Sequence, residues 1–145
     1  MPAPYDLERF VTAQDPVIDR VRAELAEGRK QSHWMWFVFP QLQGLGSSPM
    51  ARKYAIGSLD EARAYLAHPV LGPRLRECAR LAMEADAPSA RALFGTPDDL
   101  KFRSSMTLFA LAAPGDADFS EPLVKWFRGE PDPLTAVRLA EGSRP

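Results

Sequence analysis

The chain carries one cysteine, two histidines and no long apolar run, and each shortage removes a class of function. A lone Cys78 excludes an internal disulfide framework and a cysteine-based metal motif, and it fits a reducing compartment. His33 and His68 fall short of the three or four His, Cys or carboxylate ligands that a zinc site takes, so neither metal nor cofactor is expected. A membrane-spanning helix needs about 20 consecutive apolar residues. None occurs, so no membrane partner is expected. The opening MPAPYDLERF has no basic stretch followed by an apolar one, which argues against a secretory signal and makes a cytoplasmic location the expectation. Charge of one sign is also missing: 18 Lys and Arg stand against 19 Asp and Glu, for a net charge of −1 and a pI of about 6.1. No broad positive field exists to hold nucleic acid.

What is present is an ordinary globular composition, 46 % hydrophobic and 26 % charged, in 145 residues. That length suits a single domain over 1–145 with a real core. Many of the 14 prolines fall where a helix would begin, since a proline there loses only an N–H that would be unpaired anyway. Helices are predicted from Asp6 to Thr12, from Asp15-Pro16 to a stop at Gly28 with Glu24 on the polar face, and from Ser48-Pro49 through Ala55. Ser58-Leu59-Asp60-Glu61 reads as a capping box opening a helix that ends near Ala67. The next helix follows His68-Pro69, with Leu71, Leu75, Cys78 and Ala82 at helical spacing, and a short one follows Pro88 and stops at Gly95. Thr96-Pro97-Asp98-Asp99 is the strongest start signal, a capping residue and two acids against the helix dipole, and it predicts a helix from Asp98 to about Ala112. The last two helices are placed after Ser120-Glu121-Pro122, closed by Gly129, and after Asp132-Pro133. Only Trp36–Phe39 could be extended, and a lone strand has nothing to pair with. The expected fold class is all-α (mainly helical), with several short-to-medium helices and at most minor strand.

Residues 33–39 gather two of the three tryptophans, one of the two histidines and two phenylalanines. An aromatic core segment is one reading. Lys30, Ser32 and His33 beside the rings suggest another, because apolar walls with a few convergent polar groups are what ligand pockets look like. In that reading Trp34 or Trp36 stacks on a planar ring. Gln41 then leads into a Gly44-Leu45-Gly46-Ser47-Ser48 turn at a helix start, where backbone N–H groups suit a phosphate or carboxylate. Gly44 and Gly46 equally permit a plain tight turn. The pattern is neither a Walker loop nor a dinucleotide fingerprint. Of Asp98 and Asp99, one suffices to cap a helix, and the other would serve as a base or stabilise a cation. Lys101 can pair with it. Ser104, Ser105 and Thr107 lie in a largely apolar helix, where hydroxyls commonly bond back to the backbone. A Ser105–His33–Asp99 triad can be drawn, but residue types alone do not make one.

Several stretches together resemble a known bacterial family. They are Arg9-Phe10-Val11-x-Ala13-Gln14, the run from Lys30 to Gln41, Gly44-Leu45-Gly46-Ser47, Tyr54-Ala55-Ile56, His68-Pro69-x-Leu71-Gly72-x-Arg74-Leu75, and the run from Gly95 to Phe109. On these the chain resembles the domain of unknown function 1810 family (DUF1810) over nearly its whole length. The resemblance implies a mainly helical fold and no established reaction. Members often carry a calpastatin label, which suits this aromatic chain poorly, since calpastatin inhibitory regions are long, disordered and polar. A more distant likeness lies in the order of an aromatic-rich polar segment, a Ser48-Pro49-Met50-Ala51-Arg52 helix start, a helix ending near His68-Pro69-x-Leu71 and a late acidic-Gly region. In this order the chain is similar to the NADAR group, small helical N-glycosidases acting on ADP-ribose-type and ribosylated pyrimidine compounds. That likeness implies a direction for the chemistry and transfers no catalytic residue.

The functional expectation is a hydrolase or N-glycosidase-like enzyme acting on a nucleotide or ADP-ribose-type compound. Asp99 or Asp98 would activate water or stabilise an oxocarbenium-like transition state. His33, Lys101, Ser104 and Ser105 would orient the substrate beside Lys30, Trp34, Trp36, Gln41, Gly44, Gly46 and Ser47. Such a cleavage needs no metal. The alternative is a non-catalytic nucleotide- or protein-binding module using the same residues. A purely structural reading has Lys30 and Lys101 pairing carboxylates while the hydroxyls serve the helices.

Overall fold

Short polar side chains set half of the ten described helix starts. Ser48, Ser58 and Ser89 each accept, through Oγ, the backbone N–H three residues on, at 3.0–3.1 Å, which pairs one of the four N–H groups a helix start leaves free. Asp132 does the same for Thr135 at 2.9 Å. His68 uses its ring, with Nδ1 accepting from the N–H groups of Val70 and Leu71. In the computed structural model, which describes residues 5–142 and side chains to residue 140, these starts open an all-helical chain with no strand among the described residues. The sequence reading of MPAPYDLERF rests partly on residues 1–4, which lie outside the described residues.

The order is α1 (Glu8–Gln14), α2 (Ile18–Ala26), α3 (Met35–Val38), α4 (Pro49–Lys53) and α5 (Leu59–Ala67), then α6 (Leu71–Glu84), α7 (Ala90–Phe94), α8 (Asp98–Ala112), α9 (Ala117–Phe127) and α10 (Pro133–Gly142). The predicted end of α5 and both ends of α8 agree with the structure. Helix α8 is central: it touches α3, α5, α7, α9 and α10, and it is buried on nearly every side, as a helix without a polar face must be. Phe102 stacks on Phe94 at 4.5 Å and meets Phe39 edge-on at 4.9 Å, while Phe109 packs between Tyr65 and Phe119. On the other side, α6 contacts α2, α5 and α9. Its C-terminal carbonyls are met from α9, where Trp126 Nε1 donates to Ala82 and Lys125 Nζ to Met83 and Ala85. Burial pushes the Cys78 thiol up to about 12, which leaves it an inert core residue. No helix among the described residues is long and apolar enough to cross a membrane.

The structure corrects the sequence reading at particular elements. Trp36–Phe39 is no strand: Met35–Val38 forms one helical turn, and the extended pairing falls later, as an isolated parallel bridge of Leu42 with Ile56. Helix α9 starts at Ala117, so Pro122 lies inside it and is buried. The start is drawn back because Asp116 caps Asp118 while both acids bind Arg76, and Asp118 also binds Arg80, all on α6. In α5, Ser58 caps as expected, but Glu61 accepts from the N–H of Gly57 rather than reaching back to Ser58. Its other oxygen pairs with Arg9 at 3.2 Å, and Arg9 also donates to the carbonyls of Lys53 and Ala55, so one guanidinium joins α1, the end of α4 and α5. Helix α1 itself sits two residues later than predicted and ends on Gln14, which is buried. There Gln14 Nε2 donates to the Phe37 carbonyl at 2.6 Å and to the Tyr65 hydroxyl at 3.0 Å.

Candidate functional site

Glu24 builds the aromatic segment, although the sequence reading set it on a polar face. After α2 the chain turns at Gly28 in the left-handed region (φ +74°) and folds back over the helix. The Glu24 carboxylate then accepts from the Gln31 N–H (2.7 Å), the Ser32 N–H (3.0 Å), the Ser32 hydroxyl (2.6 Å) and the Trp34 indole N–H (2.9 Å). Glu24 is only 6 % exposed. Burial by itself pushes the acid upward, but these donors outweigh it and hold the carboxyl down at about 2. Trp34 is thereby committed: it lies in the core, 1 % exposed, with its one polar atom taken.

Above this knot, residues 30–36 meet the start of α8. Lys30 is nearly buried. Its Nζ donates to the Ser32 carbonyl at 2.6 Å, pairs with Asp98 Oδ2 at 2.9 Å and lies 5.1 Å from the Trp34 ring centre. Lys101 pairs with Asp98 Oδ1 at 3.4 Å and sits 5.2 Å over the half-buried Trp36 ring. Both oxygens of Asp98 are therefore occupied by ammonium groups. Asp99 differs. One of its oxygens accepts the Thr96 hydroxyl at 2.9 Å, so Thr96 does not cap the helix, and the other has no partner among the described residues. His33 is exposed and unpaired among those residues. The structure thus brings Lys30, Trp36, Asp98 and Lys101 together, with Asp99 next to them in the chain.

The remaining candidates lie elsewhere. Ser104 is buried and donates to the Leu100 carbonyl, and Thr107 donates to the Arg103 carbonyl while accepting the Asp132 N–H. Ser105 is fully buried with no hydrogen-bond partner for its hydroxyl. Gln41 is half-buried, with its carbonyl taking the Ile56 N–H. Gly46 packs so closely on α4 that a Cβ there would lie 2.6 Å from the Ala51 methyl, and Ser47 is exposed. Ser48 takes an N–H of the short α4 for itself. Gly44 lines a separate cavity of about 530 Å³, between the bridge at Leu42, the start of α5 and α10. None of Lys30, Trp34, Trp36, Asp98, Asp99 or Lys101 lines it. Its charged groups are Asp60, Arg63 and Arg138. Composition gave no sign of Glu24 as an organiser, and Arg138 did not stand out, since it meets the rest of the cavity across some 95 residues of chain. Among the described residues no three His, Cys, Asp or Glu side chains converge as a metal site.

With this geometry in hand, comparison with solved structures finds the conserved hypothetical protein Rv1873 from Mycobacterium tuberculosis. It is 55 % identical, with 95 % of this chain and 99 % of that one covered and a TM-score of 0.93. No curated protein matches the sequence. The family model described as protein of unknown function (DUF1810) matches residues 4–139, and the chain belongs to that family.

Proposed function

We propose that the protein binds a small molecule in the cavity between Leu42–Gly44, the start of α5 and α10. The observation that carries this is the cavity itself. About 530 Å³ lies within the range of small-molecule sites, and an apolar wall of Leu42, Leu59 and Leu139 faces three charged side chains. Gly44, read from the sequence as part of an anion-binding turn, is in its lining. A thermal-shift screen against nucleotides, ADP-ribose, sugar phosphates and small carboxylates tests it, since a ligand of the native state raises the melting midpoint. Leu59→Trp fills the cavity and is expected to abolish the shift. A ligand that shifts Leu59→Trp as much as the parent overturns this reading.

A second reading, hydrolysis of an N-glycoside, is favoured by one observation: Asp99 keeps an uncommitted oxygen beside the Lys30–Asp98–Lys101 cluster. Asp98 then serves as counter-charge, and Asp99 is the group that accepts a proton from water. Asp99→Asn in a turnover assay with ribosylated bases and ADP-ribose decides it. Turnover lost in the variant supports the reading, and no turnover by the parent protein ends it.

A further inference from the structure

Resting on the cavity reading, we infer that the ligand is a small organic anion, a carboxylate or phosphate ester, whose oxyanion is held by Arg138 against Gly44. The seat of the guanidinium comes first. Arg138 Nε donates to the Gln43 carbonyl at 3.1 Å, across 95 residues of chain. A Cβ built on Gly44 would lie 2.1 Å from Arg138 Nη2 and 2.4 Å from its Cζ, so the flat guanidinium rests in the space a side chain would fill. Gly44 also has φ +94°, a conformation that other residues adopt only under strain. The glycine thus supplies both the turn and the seat.

The charge balance comes next. Arg138 has no carboxylate within ion-pair distance among the described residues. The neighbouring Arg63 does: Nη1 meets Asp60 at 3.3 Å, while Nε donates to the Ala112 carbonyl. Glu61, just beneath Gly57, is taken up by Arg9 and the Gly57 N–H. Two arginines and one aspartate leave the lining with one net positive charge, and it belongs to Arg138. With Nε fixed by a carbonyl, the remaining N–H groups form the planar fork that suits carboxylate and phosphate oxygens.

The body of the ligand follows from what the walls lack. Among the described residues no aromatic ring lines the cavity, so no aromatic side chain there stacks on a nucleobase. Leu42, Leu59 and Leu139 offer instead an apolar surface for a compact organic group.

The test is a protein NMR titration of the full chain with benzoate, phenyl phosphate and neutral benzamide, reading the backbone amides of Gly44 and Gly57. Benzoate or phenyl phosphate is expected to shift those amides at least tenfold more tightly than benzamide. The stronger of the two identifies a carboxylate or a phosphate as the preferred head. Arg138→Gln, an exposed position, should erase the preference, and Gly44→Ala should weaken it by displacing the guanidinium without removing it. Benzamide binding as tightly as benzoate and phenyl phosphate overturns the anion while leaving the cavity reading in place. Shifts at Trp36 and Lys101 instead of Gly44 overturn both. Absence of any shift overturns the anion, and the Leu59→Trp screen then decides the cavity.

Discussion

Glu24 and Asp98 hold the same stretch of chain, residues 30–36, by different means. Glu24 is buried and ringed by four uncharged donors. Asp98 lies near the surface between two ammonium groups. The difference separates structure from opportunity. A buried carboxylate saturated by backbone, hydroxyl and indole donors has no capacity left for a ligand, and removing any partner strands a desolvated group. A carboxylate shared by two lysines holds the buried Lys30 by a charge-assisted hydrogen bond. Its longer contact to Lys101, nearer water, is open to screening by salt and to competition from another anion.

The largest effect that would break this comparison is expected at the inner carboxylate. Glu24→Ala leaves three N–H donors and the Ser32 hydroxyl without their acceptor, and is expected to cost on the order of 3 kcal/mol. For a domain of this size that lowers the melting midpoint by about 10 °C, measurable by calorimetry. A loss under 1 kcal/mol would put the knot on a par with a surface ion pair.

Acid should tell the same story. The Glu24 acid sits at about 2 in the folded protein against 4.5 for a free glutamate, so its stabilisation is complete above pH 4.5 and is lost as pH falls toward 2. That contribution is roughly 3 kcal/mol. Denaturant melts across this range should show a steep fall in the parent and a shallower one in Glu24→Ala. Equal slopes would move acid sensitivity to other groups.

The smallest effect is expected at the outer carboxylate. Asp98→Asn, whose amide oxygen can still accept from Lys30, should cost about 1–2 kcal/mol in low salt, and the share due to Lys101 should fall in 0.5 M salt. Glu24→Ala should respond little to salt. A salt-independent loss of 3 kcal/mol at Asp98 would erase the distinction.

Most of the helical order was legible because local chemistry writes it. Ser48, Ser58, Ser89 and Asp132 act within three residues of themselves, and Ala67 and Ala112 close helices whose periodicity is plain. The errors share a physical cause. Pro122 is a start signal by local rules, yet Arg76 and Arg80 of another helix draw the start back to Ala117. Glu24 reads as solvent-facing until Gln31, Ser32 and Trp34 fold back onto it. The meeting of Lys30 and Lys101 at Asp98 followed from placing both segments at one site, whereas Trp34 proved to be a core ring. The cavity was half legible: Gly44 stood out as a turn, but its partner Arg138 comes from the far end of the chain.

Arg9 gives the molecule a built-in order of assembly. Helix α1 has seven residues, and isolated helices shorter than about 12–15 residues are marginal in water. Apart from the nearby Asp6 carbonyl, the groups that anchor Arg9 lie 44 to 52 residues further along, so at roughly 5–20 residues per second a ribosome needs about 2–10 s to supply them. During synthesis α1 can meet α3 first, but the Arg9 contacts and the Phe10 packing on Tyr54 and Tyr65 are complete only once α4 and α5 have emerged.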